Sequence, residues 1–204
     1  MEIVCLDLEG VLVPEIWIAF AEKTGLPQLK LTTRDEPDYN KLMRYRMAIL
    51  DQHHLSLSDI QDVIATITPL SGAKDFLDQL RSLTQVVILS DTFTEFAQPL
   101  MRQLGWPTIL CNSLKVDQNN MIVDFIIRKN DGKKAAIDSF KALNFRTFAS
   151  GDSYNDISMI QHADGGCLFR APAQIITEHP NTKICNTYPE LLSEIKTFIS
   201  NSPN

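Results

Sequence analysis

The sequence predicts an α/β fold, in which a parallel-sheet core carries a small helical subdomain inserted after the first strand. Short apolar runs that resemble strands buried on both faces alternate with segments of helical periodicity, an order typical of βαβ units. Between about residues 14 and 68, three successive amphipathic helical patterns interrupt this alternation. We therefore assign residues 1–13 and 69–204 to the core and residues 14–68 to the helical subdomain.

The individual elements follow from local patterns along the chain. The strands of the core are predicted at IVCL, VVIL, TIL, RTFAS and CLF, in that order. Helices of the core are predicted at SGAKDFLDQLRSL and KKAAIDSFKALN, where apolar residues recur at helical spacing. In LKVDQNNMIVDFIIRK two extended runs flank a polar turn, which indicates a hairpin. The inserted helices are predicted at EIWIAFAEKTG, YNKLMRYRMAILDQHH and SLSDIQDVIATI.

The composition limits the classes of function. The net charge is -6 and no cluster of Lys and Arg occurs, which argues against a general nucleic-acid binder but permits a small phosphorylated substrate. The four cysteines are far apart and three lie in apolar runs, as expected of buried thiols in a reducing compartment. No apolar run approaches the ~20 residues of a membrane span, and the first is too short for a secretory signal. We expect a cytoplasmic protein without membrane or nucleic-acid partners.

Polar side chains follow three of the predicted strands at the point where each strand ends. They are Asp7, then Ser90, Asp91 and Thr92, then Gly151, Asp152 and Ser153. In a parallel sheet these ends meet at one edge, where open α/β folds bind their ligands. Lys133 and Lys134 begin the helix before the last of these strands, so we expect them near the same edge. A shared site is therefore predicted.

Asp7 and Glu9 place two carboxylates close together after the first strand. Because side chains alternate along a strand, both leave the same face if the extended conformation continues. Such like charges raise each other's pKa unless a cation offsets them, and Mg²⁺ prefers carboxylate oxygens. Asp152 offers a further carboxylate, so Asp7, Glu9 and Asp152 are candidate Mg²⁺ ligands. The alternative is that Asp7 and Glu9 only polarise a turn at Gly10.

The other motifs suit a phosphate group. The hydroxyl of Ser90 and the backbone amides after it, at the start of a helix, could bind a phosphate, although Ser-Asp-Thr after a strand is also a common helix cap. The lysines of NDGKK are alternatively solvated residues of a turn. In GDSYND, Gly151 permits close backbone approach, and Asn155 and Asp156 lie on the next helical turn, facing Asp152.

Taken in order, DLEGV, LSDT, a lysine of DGKK and GDSYND resemble the four sequence motifs of the haloacid dehalogenase superfamily of phosphohydrolases. The resemblance covers nearly the whole chain. It implies a Rossmann-like core with a helical cap inserted after the first strand. Within the third motif, the spacing favours Lys133 over Lys134 as the lysine that contacts the phosphoryl group.

The resemblance also implies a role for each motif. Asp7 would be the nucleophile that forms an aspartyl-phosphate. Glu9 would protonate the leaving oxygen and help to activate the second acceptor. Ser90 would bind the phosphoryl group, Lys133 would offset its charge, and Asp152 would complete the Mg²⁺ site. A carboxylate nucleophile divides one difficult transfer into two easier steps, so these roles form a coherent mechanism.

Two residues depart from the usual pattern of the superfamily's phosphatases. Most carry Asp where this chain has Glu9, whose extra methylene moves the acid by roughly 1 Å. Phosphoserine phosphatases usually have glycine where this chain has Asp91. CLDLEGVLVPEIW and ILSDTFTEF resemble most the phosphoserine phosphatase branch, and within it the bacterial phosphoserine:homoserine phosphotransferases. This implies removal of phosphate from phosphoserine, with homoserine or water as the acceptor, and a homodimer.

The resemblance further implies how the amino-acid part of the substrate is recognised. Glu15 matches a Glu that pairs with the substrate ammonium, and Arg46 matches an Arg that binds its carboxylate. From the residues alone, Glu15 reads more readily as an acid at a helix N-terminus and Arg46 as part of a solvated basic face. The predicted substrate-binding residues are Glu15, Arg46, Ser90, Asp91, Lys133 and Asn155.

Two alternatives to this function stay open at the level of sequence. One is a phosphatase for another small metabolite, such as a nucleotide or sugar phosphate. The other is a receiver-type signalling module, which also holds an aspartyl-phosphate with acids, Thr or Ser, Lys and Mg²⁺. Receivers lack the helical insertion and do not place their acceptor Asp on the first strand with a Glu two residues later. The sequence therefore favours an enzyme.

Overall fold

Seven strands form one mixed sheet in the part of the chain that the structure describes. This computed structural model describes residues 1–32, 35–36 and 38–201. The strands are β1 (Glu2–Leu6), β2 (Gln85–Phe93), β3 (Thr108–Val116), β4 (Ile122–Ile126), β5 (Arg146–Gly151), β6 (Gly165–Phe169) and β7 (Lys183–Cys185). They lie in the order β4-β3-β2-β1-β5-β6-β7, and each neighbouring pair is parallel except β3 and β4. The predicted parallel core and the predicted hairpin are both confirmed.

Apolar side chains pack on both faces of this sheet. Along β1, Val4 and Leu6 belong to one apolar cluster, and Ile3 and Cys5 belong to another. Burial on both faces explains why the strand sequences are continuous apolar runs. The helices are α1 (Ile16–Thr24), α2 (Tyr39–Gln52), α3 (Leu57–Ala65), α4 (Ala73–Arg81), α5 (Thr94–Gln103), α6 (Gly132–Ala142), α7 (Tyr154–His162), α8 (Ala173–Glu178) and α9 (Tyr188–Ser200), with a 3₁₀ helix at Pro27–Lys30.

The helices α1, α2 and α3 all lie between β1 and β2 in the chain, as the sequence predicts. The two ends of this segment meet where the amide of Leu70 donates to the carbonyl of Leu12 over 2.9 Å. The β3–β4 hairpin supports the segment, because the amide of Leu57 at the start of α3 donates to the carbonyl of Asn120 over 2.7 Å. The boundaries of the cap subdomain stay a prediction.

Two further expectations concern the surroundings of the protein. Cys5, Cys111, Cys167 and Cys185 are free and buried, which agrees with their position in apolar strands. Across the described ranges, none of the helices combines the length and the apolar character needed to cross a bilayer. The buried thiols therefore serve as small core side chains.

Candidate active site

Asp7 directly follows β1 at the carboxyl edge of the sheet and is only 4% exposed. Its amide donates to the carbonyl of Ser150 in the neighbouring β5 over 2.9 Å, which extends the parallel pairing by one residue. Its Oδ1 accepts the amide of Leu8 at 2.8 Å and lies 2.8 Å from Nζ of Lys133. Its Oδ2 accepts no hydrogen bond from the described residues. One carboxylate oxygen of Asp7 is therefore uncommitted.

The loop after Asp7 comes very close to Asp152. Gly10 has φ +74°, and a Cβ at this position would lie 2.4 Å from Cγ of Asp152. Glycine alone tolerates both the left-handed backbone and this approach. Gly10 thus allows the first motif to rest against the fourth, which brings Asp7 and Asp152 to the same place.

Glu9 belongs to a second group of side chains on the cap side. Its Oε2 accepts the amide of Ile16, the first residue of α1, at 2.8 Å. The carboxylate of Glu15 lies close enough to influence the pKa of Glu9. Burial, followed by the charge of Glu15, raises the pKa of Glu9 to about 8, although the Ile16 amide and Arg46 oppose this shift. The surroundings of Glu9 therefore favour its protonated form more than those of an ordinary glutamate.

Lys133, at the start of α6, lies between two acids. Its Nζ is 2.8 Å from Oδ1 of Asp7 and 2.7 Å from Oδ1 of Asp156. Burial opposes its charge, but Asp156 and Asp7 outweigh burial and hold the pKa of Lys133 well above its usual value. Lys134 instead pairs with Asp138 one turn along α6, at 2.9 Å and partly exposed. The structure thus places Lys133, and not Lys134, beside Asp7.

Asp7, Asp152 and Asp156 form an acidic group whose ligand oxygens lie within 4.8 Å of one another. Asp156 is fully buried, and its Oδ2 accepts the amides of Asp152 and Ser153 at 3.0 Å each. Its Oδ1 contacts Lys133, so Asp156 is satisfied by the protein. The carboxylate of Asp152 accepts no side-chain hydrogen bond within the described ranges. Asp7 and Asp152 therefore retain oxygens for a ligand.

These residues fit a divalent cation. Burial, followed by the charge of Asp156, raises the pKa of Asp7 well above its usual value and that of Asp152 to about 7. Crowded carboxylates of this kind are stabilised in their charged form by a hard cation such as Mg²⁺. The side chain of Glu9 is not a member of this group of described residues, and its role as a metal ligand stays a prediction.

Ser90 and Asp91 lie inside β2, and α5 begins only after Phe93. The expectation that the amides directly after Ser90 open a helix is therefore wrong. The pairing of β2 with β3 resumes at Phe93 opposite Asn112, beyond a register shift, and this keeps the segment extended. Ser90 is buried, and together with Asp91, Asn112 and Lys133 it lines a small cavity.

Asp91 links three elements around this cavity. Its Oδ2 accepts Nδ2 of Asn155 from α7 at 2.9 Å. Its carbonyl accepts Nδ2 of Asn112 from β3 and the hydroxyl of Tyr39 from α2, each at 2.9 Å. Asn155 is held in turn by the hydroxyl of Ser153. The two predicted substrate-binding residues Asp91 and Asn155 are thus in direct contact.

Arg46 is buried in the cap, not solvated. Its guanidinium lies 4.5 Å from the ring centroid of Trp17, and its Nη2 donates to the carbonyl of Leu31 at 2.7 Å. Among the residues that the structure describes, its Nε finds no hydrogen-bond partner. Burial lowers the pKa of Arg46 to about 10, although nearby Tyr39 and Glu9 oppose this shift. A buried guanidinium with an unpaired donor is poised to bind an anion.

Glu15 lies beside the same group and is exposed at the start of α1. Its side chain caps no backbone amide of α1. Its charge affects the pKa of both Glu9 and Arg46, so the structure brings these three predicted residues into one neighbourhood.

Three residues of the site were missed as site residues by sequence reasoning. Asp156 was seen to face Asp152, but an acid three residues into a helix is also an ordinary capping-box member, which it is here. Asn112 had a usable signal, a lone amide inside a buried strand. Tyr39 had none, because its contact with Asp91 joins residues 52 positions apart.

Comparisons with known proteins agree with this geometry. A family model described as a haloacid dehalogenase-like hydrolase matches residues 1–164. The phosphoserine phosphatase ThrH of Pseudomonas aeruginosa is 57% identical over 194 residues, or 95% of each chain. A phosphoserine phosphatase of Pseudomonas syringae pv. tomato is 56% identical over 194 residues, or 95% of this chain and 82% of its own. A substrate-bound phosphoserine phosphatase structure shares the fold, with a TM-score of 0.76 at 21% identity over 94% of this chain and 97% of its own.

The family model and the two relatives cover the four motifs together with the helical insertion. The protein is therefore an enzyme, and the receiver-type alternative is excluded. The chain belongs to the haloacid dehalogenase-like hydrolase family.

Proposed function

We propose that this enzyme is a Mg²⁺-dependent phosphoserine phosphatase that forms an aspartyl-phosphate on Asp7 and passes the phosphoryl group to homoserine or to water. One observation carries the proposal. Asp7 is buried at a strand end with Oδ1 fixed by Lys133 and Oδ2 uncommitted, next to the ligand-ready Asp152. The two relatives above, both described as phosphoserine phosphatases, support the choice of substrate.

The first step forms the phosphoenzyme. Oδ2 of Asp7 attacks the phosphorus, and the bond between phosphorus and the serine oxygen breaks. Glu9 gives its proton to that leaving oxygen, and serine departs. The raised pKa of Glu9 supports this role, because a general acid needs to carry its proton near neutral pH.

The second step releases the phosphoryl group and restores the enzyme. A hydroxyl of homoserine, or water, attacks the phosphorus, and the bond to Oδ2 of Asp7 breaks. Glu9 accepts the proton of the attacking hydroxyl and returns to its starting state. The same two residues thus serve both acceptors, and the outcome depends on which acceptor occupies the site.

Charge on the phosphoryl oxygens is balanced by the protein and by the cation. Asp7 and Asp152 are the residues that would hold Mg²⁺. When bound, Mg²⁺ supplies positive charge that polarises the phosphoryl oxygens. Lys133 supplies a second, fixed positive charge. The hydroxyl of Ser90 accepts the amide of Thr92 at 3.2 Å, so its proton remains available for a phosphoryl oxygen.

The cap supplies recognition of the amino acid. The unpaired Nε of buried Arg46 suits the substrate carboxylate, and stacking on Trp17 fixes the guanidinium plane. Glu15, exposed beside Glu9, suits the substrate ammonium. The predicted homodimer stays a prediction, while the free, buried thiols support a cytoplasmic location, since reduced cysteines persist there.

Phosphorus NMR of the enzyme with Mg²⁺ and phosphoserine tests this function directly. With phosphoserine alone we expect free phosphate, and with added homoserine we expect phosphohomoserine as well. Free phosphate without phosphohomoserine in both samples would support the phosphatase activity and contradict transfer to homoserine. An unchanged phosphoserine signal, under conditions where an aryl phosphate is hydrolysed, would favour the alternative of another small phosphorylated metabolite.

A further inference from the structure

A hydrogen bond between the cap and the core lies at the centre of the site. The hydroxyl of Tyr39, the first residue of α2, donates to the carbonyl of Asp91 in β2 over 2.9 Å. Burial, followed by the charge of Asp91, raises the pKa of Tyr39 above its ordinary value, so the hydroxyl keeps its proton and stays a donor at neutral pH. This bond joins the helix that bears Arg46 to the residue next to Ser90.

Tyr39 and Arg46 share one face of α2. They are seven residues, or two turns, apart, which corresponds to roughly 10 Å along a helix. Two of the residues between them, Leu42 and Met43, are buried. If α2 moved away from the core, Arg46 would therefore move with it, and the hydrogen bond between Tyr39 and Asp91 would break.

Both partners of this bond are fixed by their surroundings. The ring of Tyr39 packs edge-on against Phe125 of β4, with centroids 6.4 Å apart. The carbonyl of Asp91 accepts a second bond from Nδ2 of buried Asn112 at 2.9 Å, and Oδ1 of Asn112 accepts the amide of Arg128 at 3.0 Å. Because the surroundings fix both partners, this hydrogen bond fixes the distance between α2 and β2.

We propose that Tyr39 is a positioning residue that sets the distance between Arg46 and Ser90, and so selects substrates whose carboxylate and phosphate are spaced as in phosphoserine. The inference rests on the proposed function and deepens it. Arg46 lies on α2 and Ser90 lies on β2, so neither residue by itself fixes the distance between them. Tyr39 connects those elements with one hydrogen bond and needs no contact with the substrate.

The test compares two substrates in Tyr39→Phe. Phosphoserine requires both ends of the site, whereas phosphoethanolamine lacks the carboxylate and does not use Arg46. We expect kcat/KM for phosphoserine to fall about 3- to 10-fold, as for loss of one hydrogen bond, and kcat/KM for phosphoethanolamine to change less than about twofold. Tyr45→Phe is the matched control, because Tyr45 lies on the same helix and is exposed. It should leave both values unchanged.

A double-mutant cycle isolates the link to Arg46. In an Arg46→Ala background, Tyr39→Phe should cause no further loss with phosphoserine, because the group that Tyr39 positions is already absent. Full additivity would overturn the inference. An equal fall of kcat/KM with both substrates would also overturn it, because such a fall indicates a structural role. An unchanged kcat/KM for phosphoserine would overturn it as well.

The two proposals fail in different ways. If the wild-type enzyme does not turn over phosphoserine while it hydrolyses phosphoethanolamine, the proposed function is wrong and the inference falls with it. If the wild type is active on phosphoserine and Tyr39→Phe lowers kcat/KM equally for both substrates, the inference alone is wrong. Equal melting temperatures of the variants and the wild type ensure that the comparison reports on catalysis.

Discussion

Nζ of Lys133 lies 2.8 Å from Oδ1 of Asp7 and 2.7 Å from Oδ1 of Asp156, and all three side chains are buried. Burying charges costs free energy, and a buried ion pair is weak evidence of a contribution to stability. The arrangement is better understood as preorganised electrostatics. Asp156 holds the ammonium in place, so that it faces charge developing on a phosphoryl group bound at Asp7.

Replacing Lys133 by Ala should therefore reduce kcat by about 10²- to 10³-fold, since a fixed positive charge next to the transferred group is lost. Steady-state phosphate release from phosphoserine measures the change. Lys134→Ala is the matched control, because Lys134 is the next residue on α6 and pairs with Asp138 away from Asp7. Comparable losses in the two variants would contradict the assignment of Lys133.

Asp152→Asn should raise the Mg²⁺ concentration needed for half-maximal activity by more than about tenfold, because one anionic oxygen ligand is lost. Activity titrated with Mg²⁺ after removal of metal by EDTA gives this value, and calorimetry of Mg²⁺ binding gives it without substrate. Asp138→Asn, at an exposed pair on α6, should behave as wild type. An unchanged Mg²⁺ requirement in Asp152→Asn would remove Asp152 from the metal site.

Arg46→Ala should lower kcat/KM for phosphoserine by about 10- to 100-fold, the effect of losing a charged hydrogen bond, with little change for an aryl phosphate. The ratio of the two substrates is the quantity to measure. Arg44 is on the same helix but exposed, with its guanidinium 5.8 Å from the Phe125 ring, and Arg44→Ala should keep the wild-type ratio. Unchanged phosphoserine kinetics in Arg46→Ala would refute the amino-acid assignment.

Gly10→Ala should destabilise the fold and the site together. Gly10 and Gly25 both have positive φ, +74° and +70°, but among the described residues a Cβ would meet close neighbours at Gly10 and none at Gly25. Gly25→Ala should cost about 1–2 kcal/mol of unfolding free energy from the backbone alone. Gly10→Ala should cost about 1–3 kcal/mol more, because Asp152 must shift. Urea unfolding compares them, and equal costs would show that the close approach to Asp152 is not required.

Much of the fold could be predicted from the sequence, because strands that are buried on both faces consist of continuous apolar runs. That rule identified the apolar runs of β1, β2, β3 and β6, and it placed Asp7 at the end of β1. It does not extend to β7, which has three residues and only Cys185 buried. The α8 and α9 helices near the end of the chain were likewise not assigned in advance.

The site was harder to predict where its geometry depends on contacts between residues far apart in the chain. Whether Ser90 opens a helix or stays extended depends on the pairing of β2 with β3, which no local pattern encodes. The surroundings of Glu9 were also hidden, because its bond to the Ile16 amide depends on where α1 begins.

The central claim is that Asp7 carries the phosphoryl group. Borohydride added during turnover of phosphoserine reduces an aspartyl-phosphate to an alcohol, and mass spectrometry of the N-terminal peptide locates the change. We predict reduction at Asp7 in the wild type, dependent on phosphoserine, and neither reduction nor turnover in Asp7→Asn. Reduction at another acid, or turnover that persists in Asp7→Asn, would contradict the account.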